Sequence, residues 1–328
     1  MKKTLVYLIA VLFSLSACQK NLDTLIPDSP SPGTTWYNTI PDTAPVNSLK
    51  ASLKLELQSA DSFTVFSSGT TGYSGGSFDL FFSIPQGALM NDASGQTFSG
   101  MAYIKTLLLK TKGDFIKMGM PTTSNGSLLV SGGAFYVSLK DANGNNLSIS
   151  PNHNIGVTFN DTPVFQQMKV FHGNQVAPSG FNWLPAADTQ LNQVSAGTNF
   201  YITYTNKLDW VGCSYSYDNT GSGTVQTRVA IDLPSYYTNA NSIVYLAFDD
   251  MKSVIELSGD AVTRQFRSPL IPVGKQATIV VMSKQANDYF LGSTQTITTT
   301  AAQGGFQNVT MNSTISSLPE IKSYLSTL

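Results

Sequence analysis

The stretch GGAFYVSLKDANGNNLSI, residues 132–149, reads as strand, tight turn, strand. Gly132 to Leu139 forms the first strand and Leu147-Ser148-Ile149 the second. Between them lies Asp141-Ala142-Asn143-Gly144-Asn145. Asn143-Gly144 is a strong two-residue hairpin signal, because a type I′ turn needs positive φ at both central positions. An earlier passage, Asp92-Ala93-Ser94-Gly95-Gln96, shares the pattern Asp-Ala-x-Gly-x. Both read as hairpin tips, and two copies are too few to define a repeat.

Strand signals continue on either side. Leu53, Leu55 and Leu57 alternate with Lys54, Glu56 and Gln58, the mark of a half-buried strand. Phe63 to Phe66, Phe78 to Ile84 and Met101 to Lys110 extend the pattern toward the opening stretch. Beyond it, Met168 to Gly173 reads as an opening strand and Phe181-Asn182-Trp183 as a loop. Further strands are expected at Phe200 to Tyr204, Val225 to Leu233, Ile243 to Phe248, Ala277 to Met282 and Tyr289 to Thr298. Their spacing of roughly ten to twenty residues, without a helical period, points to a second β-sandwich. Leu318, Ile321 and Leu325 suit one short amphipathic helix, with Pro319 in its first turn. The expected fold class is therefore all-β, with two β-sandwich modules and a short C-terminal helix. The expected boundaries are a signal peptide at 1–17, a linker at 18–48, and modules at 49–165 and 166–328.

The first residues carry a different signal. Lys2 and Lys3 precede nine apolar residues, Leu5 to Phe13, about half of what a transmembrane helix needs. That length and flank fit a secretion signal. Leu15-Ser16-Ala17-Cys18 resembles the bacterial lipobox, which implies a diacylglycerol on the Cys18 sulfur, cleavage before it and acylation of the new amine. Three acyl chains at ~0.8 kcal/mol per buried CH₂ amount to a permanent anchor. Gln19 stands where an Asp would resemble the inner-membrane retention signal, which favours the outer membrane, on its periplasmic side or at the cell surface. Residues 19–48 then hold Pro27, Pro30, Pro32, Pro41 and Pro45, which break helices and central strands. A flexible chain of that length spans about 30 Å on average.

Composition narrows the classes of partner. The 19 basic residues, less the two leader lysines, stand against 20 acidic ones, a net charge of −3. No basic stripe supports nucleic-acid binding. Charged residues make up 12% of the chain, about half the usual share. Once Cys18 carries lipid, Cys213 has no partner for a disulfide within the chain.

Candidates for chemistry are sparse. His153 and His172 are the only histidines, and neither has the ligand spacing of a zinc site or an evident nucleophile beside it. Asp249-Asp250 is the densest acidic spot, but neighbours on a strand point to opposite faces, so the pair reads as a turn cap. Asp141-x-Asn143-x-Asn145 has one charge, and its glycine falls at the fourth position where a calcium loop of the EF-hand type needs the sixth. Gly72 to Gly76 and Gly221 to Gly223 read as loop tips. No catalytic residue, metal site or cofactor is assigned. Trp210, Tyr215 and Tyr217 are the candidate binding residues. Alternation puts the two tyrosines on one face, and flat aromatic faces stack on sugar rings. The competing reading makes Trp210 a core residue beside Cys213.

Ile84-Pro85-Gln86-Gly87-Ala88-Leu89 resembles the core motif of ZU5-type β-sandwiches. Gly119 to Gly126 and Ser131 to Tyr136 resemble stretches of ZU5-like regions in gram-negative surface lipoproteins. The resemblance covers roughly residues 50–165. It implies an interaction or scaffold module rather than a catalyst. Some ZU5-containing proteins cut themselves at His-Phe-Ser; Phe171-His172-Gly173 lacks the nucleophile, so self-cleavage is not implied. The expectation is a non-enzymatic, lipid-anchored surface protein that contacts another surface protein or, alternatively, a glycan; a hydrolase has the least support.

Overall fold

The structure, a computed structural model, describes residues 34–58, 61–74, 79–176, 180–217, 225–293, 296–302 and 304–328. It is all-β, with three short helices among the described residues.

Two sheets build the first unit. One runs β1 (Asp61–Val65), β5 (Gly100–Leu109), β7 (Ser127–Asp141), β14 (Asp209–Ser216), β10 (Lys169–Val176), β11 (Gly180–Pro185), with β4 (Leu89–Asn91), β6 (Thr123–Ser124) and β8 (Asn146–Ile149) at its margins. The other runs β12 (Gln193–Ala196), β13 (Phe200–Thr205), β9 (Ile155–Asn160), β3 (Leu80–Ile84), β2 (Thr71–Ser74). Their inner faces meet in one core. Phe135, Val137 and Leu139 of β7 and Val211 and Cys213 of β14 pack against Phe82 of β3, Val157 and Phe159 of β9 and Tyr201 of β13. Alternation produces this: β13 reads as half-buried and buried in strict turn, its buried residues being Tyr201, Thr203 and Thr205.

The opening stretch belongs to the strand that organises both units. β7 is 15 residues long, about 50 Å at ~3.3 Å per residue. Its Leu128 sits in the core of the second unit, whereas Phe135 to Leu139 line the first. Midway, Cys213 opposes Gly133 and Ser214 opposes Ser131, so Gly132 is the extra residue of a β-bulge. Glycine is required at both positions. A Cβ on Gly132 would lie 2.6 Å from the Tyr201 ring; Gly133 has φ 134, and its Cβ would lie 2.9 Å from Phe159. The two Asp-Ala-x-Gly-x passages are tips as expected, and they touch: the Asp92 amide donates to the Asn146 carbonyl, and Asn91 Nδ2 to Asp141 Oδ2. The turn after β7 differs from the type I′ expectation. Gly144 has φ 83, but Asn143 has no positive φ, and the Gly144 amide donates to the Asp141 carbonyl. This is a three-residue loop with glycine in the left-handed position. Asp141 Oδ1 replaces the missing constraint by accepting from the Asn143 and Asn145 amides.

The second unit is one curled sheet with a two-strand flap. The sheet runs β24 (Gln307–Thr310), β16 (Val229–Asp232), β19 (Gln265–Arg267), β18 (Val254–Asp260), β17 (Ser242–Phe248), β21 (Gln276–Gln285), β22 (Asp288–Ser293), β25 (Thr314–Ser316), with β23 (Ile297–Thr298) on β21. β15 (Gln226–Thr227) pairs β20 (Ile271–Pro272). The curl brings Val229 and Ile231 onto Val244, Leu246 and Val281. Every residue of β17 is buried, because its other face is covered by helices α1 (Pro45–Leu53), α2 (Lys112–Met118) and α3 (Leu318–Leu325).

Four expectations are corrected here. The junction at 165/166 is not observed: β10, β11 and β14 pair within the first sheet, so the strands of the first unit extend to Ser216. The linker does not run to 48. Asn239 holds Tyr37 through both its amide and carbonyl, Trp36 packs on Phe266, and α1 buries Val46, Leu49 and Leu53. The strand expected around Leu53 is thus the end of a helix, started by Pro45. Phe181 to Trp183, expected as a loop, lies in β11, paired with β10. The C-terminal helix stands where expected, with Ser317 and Glu320 closing a capping box.

Candidate functional site

Where the two units meet, a crevice of about 630 Å³ opens beside the turn that joins β17 to β18. Asp249, Asp250, Met251 and Lys252 of that turn form one wall. Asp161 and Phe165, beyond β9, form the other, and Lys112 opens α2 on the floor. Local chemistry explains the positions. Thr111 caps α2 by accepting from the Asp114 amide, which fixes Lys112 at the first helical position. Lys112 Nζ donates to the Phe248 carbonyl at 2.7 Å. Burial lowers its pKa, and the charges of Asp249 and Asp250 oppose that drop. The turn is pinned from the other unit, since the Ser131 amide donates to the Lys252 carbonyl and Ser253 Oγ to the Leu129 carbonyl.

The carboxylates of the crevice are engaged separately. Asp161 pairs with Lys252 at 2.6 Å, with Asp161 almost fully buried. Asp250 pairs with Lys275 at 2.7 Å, and that hydrogen bond raises the lysine pKa. Asp249 accepts from Thr278 and Thr296. The neighbouring aspartates at the end of β17 therefore address different partners, as a strand-end pair should. The arrangement offers lysines and aspartates on facing walls and an apolar patch at Phe165 and Met251. It suits binding of a group with both polar and apolar parts.

The three aromatic candidates separate. Trp210 is 9% exposed and packs with Phe171, Trp183 and Leu109. That overturns its expected role as an open stacking face, although its neighbours are these residues rather than Cys213, which lies on the other side of β14. Its edge lines a different hollow of about 380 Å³, beside Phe181. Tyr215 packs on Phe165 at the crevice, with ring centroids 5.7 Å apart, and burial raises its pKa. Tyr217 lies past the end of β14 and packs on the second core, with Lys275 Nζ 5.3 Å from its ring centre. Tyr215 and Tyr217 thus pack against two different cores, do not form one flat face, and reach the crevice only through Phe165 and Lys275.

The remaining candidates are dispersed. His172 contacts Thr205 Oγ1 at 3.3 Å, and burial, helped by the charge of Lys207, holds its pKa down at about 4. His153 donates from Nδ1 to the Pro151 carbonyl, near Gly87. Cys213 is a free, fully buried thiol whose pKa is pushed far up by burial. Ile84 to Leu89 makes a turn closed by the Ala88 amide on the Pro85 carbonyl, with Gly87 at φ 77 and Ile84, Ala88 and Leu89 in the core. Among the described residues, no three His, Cys, Asp or Glu side chains cluster to hold a metal, and no helix is long and apolar enough to cross a membrane. Cys18, and the glycines at 75–76 and 221–223, lie outside the described residues. The lysines of the crevice escaped sequence reasoning. Only Thr111-x-x-Asp114, a capping signal ahead of Lys112's helix, marked their place. No family model matches this chain, and no curated protein aligns with it significantly.

Proposed function

We propose that the protein is a non-enzymatic surface lipoprotein of the outer membrane, anchored through Cys18, that binds another surface component at the crevice between its units. The observation that carries this reading is the state of the crevice carboxylates. Asp161 and Asp250 are each paired with a lysine, and Asp249 is held by two threonines. Hydrolysis by paired carboxylates needs two such groups facing a substrate, one of them free to give a proton. Binding needs only shape and placed polar groups. The resemblance of Ile84–Leu89 to ZU5 modules supports the same reading. A glycan partner is the weaker alternative, since Trp210 is buried and Tyr215 is packed.

The test is a photo-crosslinking residue placed at Met251, in intact cells, with the same residue at exposed Gly69 as control. A discrete adduct from 251 alone supports the proposal. No adduct, together with hydrolytic turnover lost in Asp249→Asn, would replace it with an enzyme. Fatty-acid labelling lost in Cys18→Ala tests the anchor.

A further inference from the structure

The chain has three arginines, and all lie between residues 228 and 267. Ala230 of β16 opposes Arg267 of β19, so Arg228, two residues along, is a diagonal neighbour of Arg267 on the same face. That face is the outer one, because Val229 and Ile231 point into the core. Both guanidinium groups gather on Phe306: Arg267 lies 4.5 Å and Arg228 5.7 Å from the ring centre. They line a groove of about 470 Å³ together with Glu256, Ser258 and Asp260 of β18. The groove continues past Glu256, Ser258 and Gly259 into a hollow of about 370 Å³ bordered by Tyr37.

Charge accounting leaves one group over. Asp260 is neutralised by Arg267 at 2.7 Å, and Arg267 also donates to Gln265. Glu256 is neutralised by Lys50 at 2.8 Å and accepts from the Tyr245 hydroxyl. Arg228 has no carboxylate partner among the described residues. It is half-buried and stacked, which fixes its planar fork of donors in place. Such a fork matches a carboxylate by two parallel hydrogen bonds. We infer that Arg228 marks an anion-recognition end of this groove, and that the groove takes an acidic, uronate-bearing saccharide.

A saccharide fits better than an acidic peptide. β16, β19 and β18 are each already paired on both sides, so no free edge remains for a peptide to add as a strand. The groove wall instead offers hydroxyls and small residues, with Ser258, Gly259 and Thr123 along it. The site is separate from the crevice near Met251, and this inference does not rest on the proposed function.

The experiment is calorimetric titration of the full mature protein in detergent with tetragalacturonic acid, maltotetraose and hexaglutamate. Tetragalacturonate is expected to bind, with the neutral tetrasaccharide at least tenfold weaker. Arg228→Gln should weaken tetragalacturonate binding about tenfold or more, the loss of a charge-assisted pair. Arg228→Lys should fall between the two. Lys169→Gln, at an exposed position of β10 in the other unit, should leave binding unchanged. Thermal unfolding verifies that each variant is folded, and the Lys variant decides if Gln does not fold. Absence of tetragalacturonate binding, equal binding by Arg228→Gln, or equal binding of hexaglutamate would overturn the inference.

Discussion

Gly113→Ala is expected to destabilise the protein, against the general rule that alanine improves a helix. Gly113 lies in α2 with the backbone of α3 directly above it. A Cβ there would stand 1.6 Å from the Leu325 carbonyl oxygen and 2.5 Å from its carbon. Neither atom is the end of a flexible side chain, so the helices must part. The ceiling on the cost is loss of α3 docking. Ile321 and Leu325 are fully buried, and re-exposing two such side chains costs about 3–6 kcal/mol at ~1.5–3 each. A local shift with α3 still docked costs about 1–3 kcal/mol, the usual range for overpacking. Alanine's helix preference offsets at most about 1 kcal/mol. The net expectation is a loss of about 1–3 kcal/mol by urea unfolding, with faster amide exchange across 318–325. Removing residues 325–328 takes away the obstructing carbonyl, so in that background the substitution should become neutral or mildly stabilising. A full-length Gly113→Ala protein more stable than wild type would refute the packing argument.

Three further outcomes follow from local geometry. Gly144→Val forces a β-branched residue to φ 83 and should lower stability by about 1–2 kcal/mol, read as a lower unfolding midpoint; an unchanged midpoint would contradict the left-handed assignment. His172 stays neutral in the fold down to about pH 4, whereas the unfolded chain protonates it below about 6.5. The unfolded state therefore binds more protons in that window, and stability falls as pH drops from 6.5 toward 4. The ceiling is about 3 kcal/mol, reduced to about 1–2 by partial exposure; His172→Gln should flatten this part of the pH profile, and an unchanged slope would point to other groups. Cys213 should resist a water-soluble thiol reagent in the native protein and react at the rate of unfolding, because it is fully buried and only the thiolate attacks; immediate labelling without denaturant would contradict that burial.

Period and turn chemistry made much of the fold legible. The strand from Gly132 to Leu139, the two tips and the short helix with Pro319 in its first turn are all local signals, and all appear in the structure. Pairing between distant strands is not a local signal. β14 inserts between β7 and β10, and nothing in residues 209–216 states that, so the boundary between units was misplaced. α1 was obscured because Leu53 serves two patterns. It ends the helical stripe Val46, Leu49, Leu53 and begins the alternation Leu53, Leu55, Leu57. The candidate site was the least legible. Its walls come from 112, 161 and 249–252; of these only Asp249-Asp250 stands out in sequence, as a turn cap, and the rest are brought beside it only by the docking of one unit on the other.

The position of α1 sets an order of events during synthesis. Val46, Leu49 and Leu53 are made early, yet the strand they cover, β17, begins at Ser242, and the helix beside them, α3, ends at Leu325. At about 5–20 residues per second, that apolar stripe waits roughly 10–40 seconds for β17 alone. Throughout that interval it is a sticky segment made well ahead of the strand that will cover it. A chain cut short before β17 can never cover it. The helix thus doubles as a completeness marker: chaperones and proteases that read exposed apolar segments would distinguish, at this helix, a molecule that includes β17 and α3 from one cut short before them.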